Sequence, residues 1–123
     1  MRKYQLVVLI FCGLFGMASI SLAAGGKWVR KADMPTARLC LRTSVVAGKI
    51  YAIGGTAHWV NGPILSTVEE YNPVKDIWTK KKDMPTSRYK LTTSVVDRKI
   101  YAIGGFPTNS TVEEYNPVAD TWT

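Results

Sequence analysis

Few residues in this chain of 123 carry the side chains that catalysis uses. His58 is its one histidine and Cys12 and Cys40 its two cysteines, so nucleophile and base chemistry has a single candidate pair, His58 with Cys40. The two lie far apart in sequence, on different kinds of segment. A metal site needs three or four His, Cys, Asp or Glu ligands; the acids here belong to a recurring pattern, so neither a metal nor a cofactor is expected. Glu69 and Glu113 are each matched by an upstream arginine, Arg38 and Arg88. Such a carboxylate is either a general acid or an ion-pair partner, and a buried charge persists only when paired. Both charges recur identically, whereas a unique active site would differ between copies. The pattern favours pairing within a scaffold and a chain that is not an enzyme.

The elements that position these residues are written twice. Asp33-Met34-Pro35-Thr36 returns as Asp83-Met84-Pro85-Thr86, Ile50 to Gly55 as Ile100 to Gly105, and Thr67 to Pro73 as Thr111 to Pro117. The offset is 50 residues up to the double glycine and 44 from Thr67 onward, so one copy carries six extra residues between Gly55 and Thr67. A period of this size belongs to solenoids and propellers.

Within each copy, Leu41 to Val46 and Lys49 to Ile53 are short β-branched runs separated by Ala47-Gly48, the chemistry of a two-residue hairpin. The second copy has Asp97-Arg98 there, which suits a primed turn less well and predicts a looser turn or a strained aspartate. Both faces of these runs are apolar or small, as in Ile50, Ala52 and Gly54 against Tyr51 and Ile53, so the strands are expected to be buried on both sides. Small side chains gather in the first two strands, and Tyr71 and Trp78 fall in the last two. The result is a wedge, thin toward an axis and thick at the rim. Gly54-Gly55 ends the second strand where a positive φ or a close backbone excludes a Cβ. Asn72-Pro73-Val74-Lys75-Asp76 reads as a turn joining the third strand to the fourth.

The double glycine, then Glu-x-Tyr-Asn-Pro and a tryptophan seven residues after the tyrosine, resembles the kelch repeat. Both copies carry the whole signature: Arg38 or Arg88, Gly54-Gly55 or Gly104-Gly105, Glu69 or Glu113, Tyr71 or Tyr115, and Trp78 or Trp122. The resemblance covers nearly everything after residue 26 and implies an all-β fold: two four-stranded antiparallel kelch-type blades, a partial β-propeller, after a signal peptide. The boundaries are 1–23 for the signal peptide, 24–37 for a spare strand and linker, 38–81 for the first repeat and 82–123 for the second, with its last strand truncated. The spare strand is Lys27 to Lys31, matching Ile77 to Lys81. Family propellers close with about four to eight blades, so two blades imply either a piece of a longer propeller, the preferred reading, or chains that assemble head to tail.

The leader has Arg2-Lys3 at its charged end, Leu6 to Phe15 as its apolar middle and Ser21-Leu22-Ala23 as a small-x-small cleavage site. Its apolar run, broken by Gly13, Gly16 and Ser19, is short for the roughly 20 residues of a membrane span. Cleavage of 23 of the 123 residues would leave 100, with Cys40 alone and no intrachain disulfide. The expected location is secreted or periplasmic, with no stable membrane anchor. The Lys80-Lys81-Lys82 run raises the question of an anionic partner, but lysines on a solvent-facing edge strand also discourage edge-to-edge pairing. Nucleic acid is not an expected partner, because no aromatic residues interleave those lysines.

The copies differ most in the loop after the double glycine, which runs Thr56 to Ser66 in the first and only Phe106 to Ser110 in the second. A rigid scaffold can vary such loops without loss of core, so His58, Trp59 and Phe106 are the candidate binding residues. The competing reading has Trp59 and Ile64 folded back onto the blade rim. Gly62, in the variable loop, is expected to tolerate a side chain better than Gly55. Asn109-Ser110-Thr111 matches a glycosylation acceptor. The function read from the sequence is an exported binding or scaffold module that contacts protein or glycan through propeller loops. The alternatives are a fragment of a sugar enzyme similar to the periplasmic N-acetylneuraminate epimerases, which would need Arg38, Arg88 or the glutamates free at the axis, or a non-functional remnant of a larger propeller.

Overall fold

The computed structural model describes residues 26–123; the expected leader lies outside them. The described residues form two four-stranded antiparallel sheets in sequential order and no helix. The first holds β1 (Arg42–Val46), β2 (Lys49–Ile53), β3 (Val68–Asn72) and β4 (Ile77–Lys80); the second holds β5 (Thr92–Val96), β6 (Lys99–Ile103), β7 (Val112–Asn116) and β8 (Thr121–Trp122).

Register follows from the turns. Val46 pairs with Lys49 and Val96 with Lys99, so both copies close through a two-residue turn. Ala47 and Gly48 have φ of 50° and 74°, and Asp97 and Arg98 have 48° and 62°. The looser turn expected for the second copy does not form. The identical flanking register imposes the same left-handed geometry, and Asp97 and Arg98 both carry the strain. In each third turn Asn72 or Asn116 accepts hydrogen bonds at Oδ1 from the amides two and three residues on, as asparagine at the first position of a turn does.

The core lies between the sheets. Val46, Tyr51, Ile53 and Val68 of the first pack with Met84, Leu91, Ile100 and Tyr115 of the second sheet and the segment leading into it. The Tyr51 and Tyr115 rings meet edge to face at 6.0 Å. Each such aliphatic side chain contributes roughly 1.5–3 kcal/mol when withdrawn from water. At the thin end, small residues let the inner strands approach: Ser44 Oγ donates to Thr93 Oγ1 at 2.9 Å, and Arg42 Nε donates to the Leu91 carbonyl at 2.7 Å. Burial on both sides holds only where a second sheet covers the first. Val68 is fully buried, whereas its repeat partner Val112 is 57% exposed, and Val45 and Val95 also face solvent.

Lys27 to Lys31, expected as a spare strand, is unpaired in the single chain. A strand needs a ladder partner; these residues have none, and Trp28 is fully exposed. The chain is tied down at Ala32, whose amide donates to Asp76 Oδ1 (2.8 Å) and whose carbonyl accepts from Trp78 Nε1 (2.9 Å). Lys82 is held identically by Asp120 (2.9 Å) and Trp122 (3.0 Å). Tyr71 and Tyr115 complete each latch by donating to Asp76 and Asp120 at 2.6 Å. That bond, with some burial, pushes the Tyr71 hydroxyl up to about 12. The hydrogen bonds from Tyr71 and the Ala32 amide hold Asp76 below the usual carboxylate range.

Candidate recognition site

The double glycines follow the ends of β2 and β6. Gly54 and Gly55 adopt φ of 64° and 108°. A Cβ on Gly54 would stand 2.4 Å from the Arg88 carbonyl oxygen, and one on Gly55 2.7 Å from that of Leu39. The space goes to a hydrogen bond between blades, from the Gly55 amide to the Arg88 carbonyl at 2.9 Å. Gly104 and Gly105 repeat the positive φ, and a Cβ on Gly105 would meet Leu91 at 2.9 Å.

The arginines and glutamates form closed pairs. Arg88 Nη2 reaches Glu113 Oε2 at 2.6 Å, Nη1 donates to the carbonyls of Gly104 (2.7 Å) and Thr111 (2.9 Å), and Thr86 donates to Glu113 Oε1 (2.7 Å). The Arg38 side chain is fully buried and stands 3.0 Å from Glu69 Oε2, with Thr36 donating to Oε1 at 2.7 Å. It makes fewer bonds than Arg88: Nη2 donates to the Ala52 carbonyl at 3.1 Å, and Nε and Nη1 have no partner among the described residues.

Beyond the double glycine the two unlike loops meet. Thr56, buried, anchors the long one: it bridges Leu39 on one side and Ile64 on the other, and its Oγ1 lies 3.0 Å from the His58 carbonyl and 3.2 Å from that of Pro63. The loop then docks on the segment entering the second sheet, where the Arg88 amide donates to Leu65 (3.2 Å) and Met84 to Ser66 (2.9 Å). Gly62 turns out to be cramped, for a Cβ there would lie 2.4 Å from the His58 nitrogen. Gly62, expected to bear a side chain better than Gly55, has no positive φ but is no roomier, because the loop doubles back tightly on itself.

A cavity of about 340 Å³ opens between these loops, and Cys40, His58, Trp59, Tyr89, Lys90 and Phe106 stand around it with Thr56 and Asn61. His58, Trp59 and Phe106, separated in sequence, thus share one cleft. Trp59 is 74% exposed, so it does not fold onto the rim, while Ile64 is half-buried. Phe106 stacks edge to face on Tyr89 at 5.4 Å, and Lys90 Nζ lies over the Tyr89 ring at 5.7 Å. Cys40 and Lys90, at the same repeat position, both have left-handed φ (52° and 53°), and the Lys90 amide donates to the Cys40 carbonyl at 2.9 Å. Cys40 and His58 line the same cleft, with no hydrogen bond between them. Among the described residues no three His, Cys, Asp or Glu side chains gather as a metal site would require. The cleft offers exposed aromatic faces, a cation and neutral hydrogen-bonding groups, which is the chemistry of recognition.

The paired four-stranded sheets, the double-glycine strand ends and the arginine–glutamate pairs define two adjoining blades of a β-propeller. A family model described as "Kelch motif" matches residues 37–85 and 87–123, and the chain belongs to that family. No curated protein sequence matches it. Among solved structures, one described as "Structure of YjhT" superposes with a TM-score of 0.71 at 19% identity, over 79% of this chain and 40% of that one, so the chain spans less than half the length of this structural relative.

Proposed function

We propose that this protein is a non-enzymatic binding and scaffold module that recognises a glycan or protein ligand through the loops at one end of its blades. The observation that carries the reading is the cleft in which the two unlike loops bring His58, Trp59 and Phe106 together. Of the two ligand classes a glycan fits better. The volume suits a sugar ring or two, Trp59 and Phe106 offer flat apolar faces, and Asn61, Lys90 and His58 offer hydrogen bonds at the rim. The closed Arg38–Glu69 and Arg88–Glu113 pairs work against the sugar-enzyme reading, which needs those groups free. Screening wild type and Trp59→Ala/Phe106→Ala on a glycan array tests the proposal. Binding that the double variant loses supports it, and equal binding by both, or none by wild type, refutes it.

The module is proposed to work after export, on the strength of the leader-like residues 1–23. Material recovered from outside the cytoplasm is expected to begin at Ala24, and N-terminal sequencing that finds Met1 retained would contradict export by cleavage. The surface around Val112 and Val96 repeats the one around Val68 and Val46 that the second blade covers. What fits it is another kelch-type blade, which head-to-tail association of copies would supply.

A further inference from the structure

At the opposite end of the blades from the loop cleft, the turns converge on a second cavity of about 240 Å³. Its charged lining is Lys49, Lys81, Arg98 and Glu70, and its apolar wall includes Val46 and Val118. The carboxylates here are already engaged. Glu70 takes Lys49 Nζ on one oxygen and Tyr51 Oη on the other, both at 2.7 Å. Asp120, just outside, accepts from Tyr115 and the Lys82 amide on Oδ1, and its other oxygen stands 3.8 Å from Lys81 Nζ, too far for a hydrogen bond. Arg98 has no side-chain hydrogen bond or ion pair among the described residues, so this cation faces the cavity without a committed anion, beside Lys81, whose ion pair with Asp120 is long.

Comparison of the copies separates scaffold from device. The Lys–Tyr–Glu cluster recurs in the second blade as Lys99, Tyr101 and Glu114, with bonds of 2.6 Å, so it is part of the repeat. Arg98 does not recur. Its counterpart is Gly48, and both hold left-handed backbone, at 62° and 74°. An arginine is a strained choice where glycine fits without cost, and residues held in strained backbone gather at functional sites. The guanidinium it brings is the donor best shaped for a planar carboxylate.

We propose that this cavity binds a carboxylate on a short apolar stem, with Arg98 and Lys81 taking the anion and Val46 and Val118 lining the stem. The site is separate from the loop cleft and does not depend on it. Two sources share this chemistry: a free aliphatic dicarboxylate, or the acidic side chain of a peptide. Titrating the full chain at low salt with glutarate in one arm and a short blocked glutamate peptide in the other, followed by calorimetry, distinguishes them. Binding in either arm supports the site and names its source. The substitution Arg98→Gly is expected to weaken that binding about tenfold or more, the size of one lost charge-assisted contact, while raising the melting temperature of the free protein because the turn relaxes. Lys81→Gln is expected to weaken binding without that rise. No binding in either arm, or an Arg98→Gly protein that binds as wild type does, would overturn the proposal.

Discussion

Replacing Arg88 with methionine removes the most heavily bonded buried charge among the described residues and should be the most damaging of the signature substitutions. The side chain is fully buried and serves Glu113, the carbonyls of Gly104 and Thr111, and at 3.3 Å that of Ala102. Methionine fills part of the space but leaves Glu113, itself 8% exposed, with Thr86 as its remaining partner. Breaking one half of a buried pair costs about 3–5 kcal/mol, a large share of the roughly 5–15 kcal/mol that holds a domain together. With a urea slope near 2 kcal/mol/M, the midpoint should fall by about 2 M. Arg38→Met should cost less, because two of the three Arg38 guanidinium nitrogens have no partner to lose. Replacing Arg88 and Glu113 together by methionine and leucine should recover much of the loss, since no orphaned charge remains. Tryptophan fluorescence in a urea series reads all four proteins. A fall of under about 1 kcal/mol for Arg88→Met, well below the cost of breaking a buried pair, would show that the pair does not hold the blades, and a double variant as weak as the single would show that the orphaned glutamate is not the cause.

Among the glycines, Gly55→Ala should lose about 1–3 kcal/mol, Gly48→Ala about 1 kcal/mol and Gly26→Ala nothing, because a Cβ meets Leu39 at the first and open space at the other two, with φ positive at Gly48; melting temperatures in any other order contradict the close-approach argument. Stability should decline on acidification: burial opposes the charge of Glu70, but hydrogen bonds from Lys49 and Tyr51 outweigh it and hold the carboxyl low. A depressed folded value means the contribution is present above the unfolded carboxylate value of about 4.3 and is lost as pH falls through the folded one. Glu70→Gln should therefore flatten the melting curve between about pH 5 and 3, and an unchanged slope would refute the assignment. Light scattering should show the chain associating through the surface around Val112, and a cooperatively melting monomer would refute the head-to-tail reading.

The fold was legible because the sequence states its register twice. Hairpin spacing, double glycine and the Asn-Pro turn each recur, so a local reading could be checked against its copy. At Asp97-Arg98 the residue types leave open a looser turn or a strained aspartate, and the flanking register selects the strained one; Lys27 to Lys31 matches Ile77 to Lys81 in residue type, but a strand there needs a neighbour that the single chain does not supply. The latch role of Asp76 and Asp120 is absent from the sequence reading, though their recurrence five places after each tyrosine is a signal. The loop cleft was half legible. His58, Trp59 and Phe106 stood out because the loops differ, whereas Cys40, Tyr89 and Lys90 join them through left-handed backbone and a pairing between blades that local patterning does not encode. Thr56 and the cramped Gly62 are also products of the loop's own folding.

The claim that the two unlike loops form one recognition surface is tested most directly by nuclear magnetic resonance of isotope-labelled protein titrated with the strongest oligosaccharide from the array. The account predicts amide shifts at Cys40, at Thr56 to Gly62, at Tyr89 and Lys90 and at Phe106, residues of both blades moving together along one binding curve. Shifts confined to a single blade, or centred on Arg38 and Glu69 instead, would contradict it.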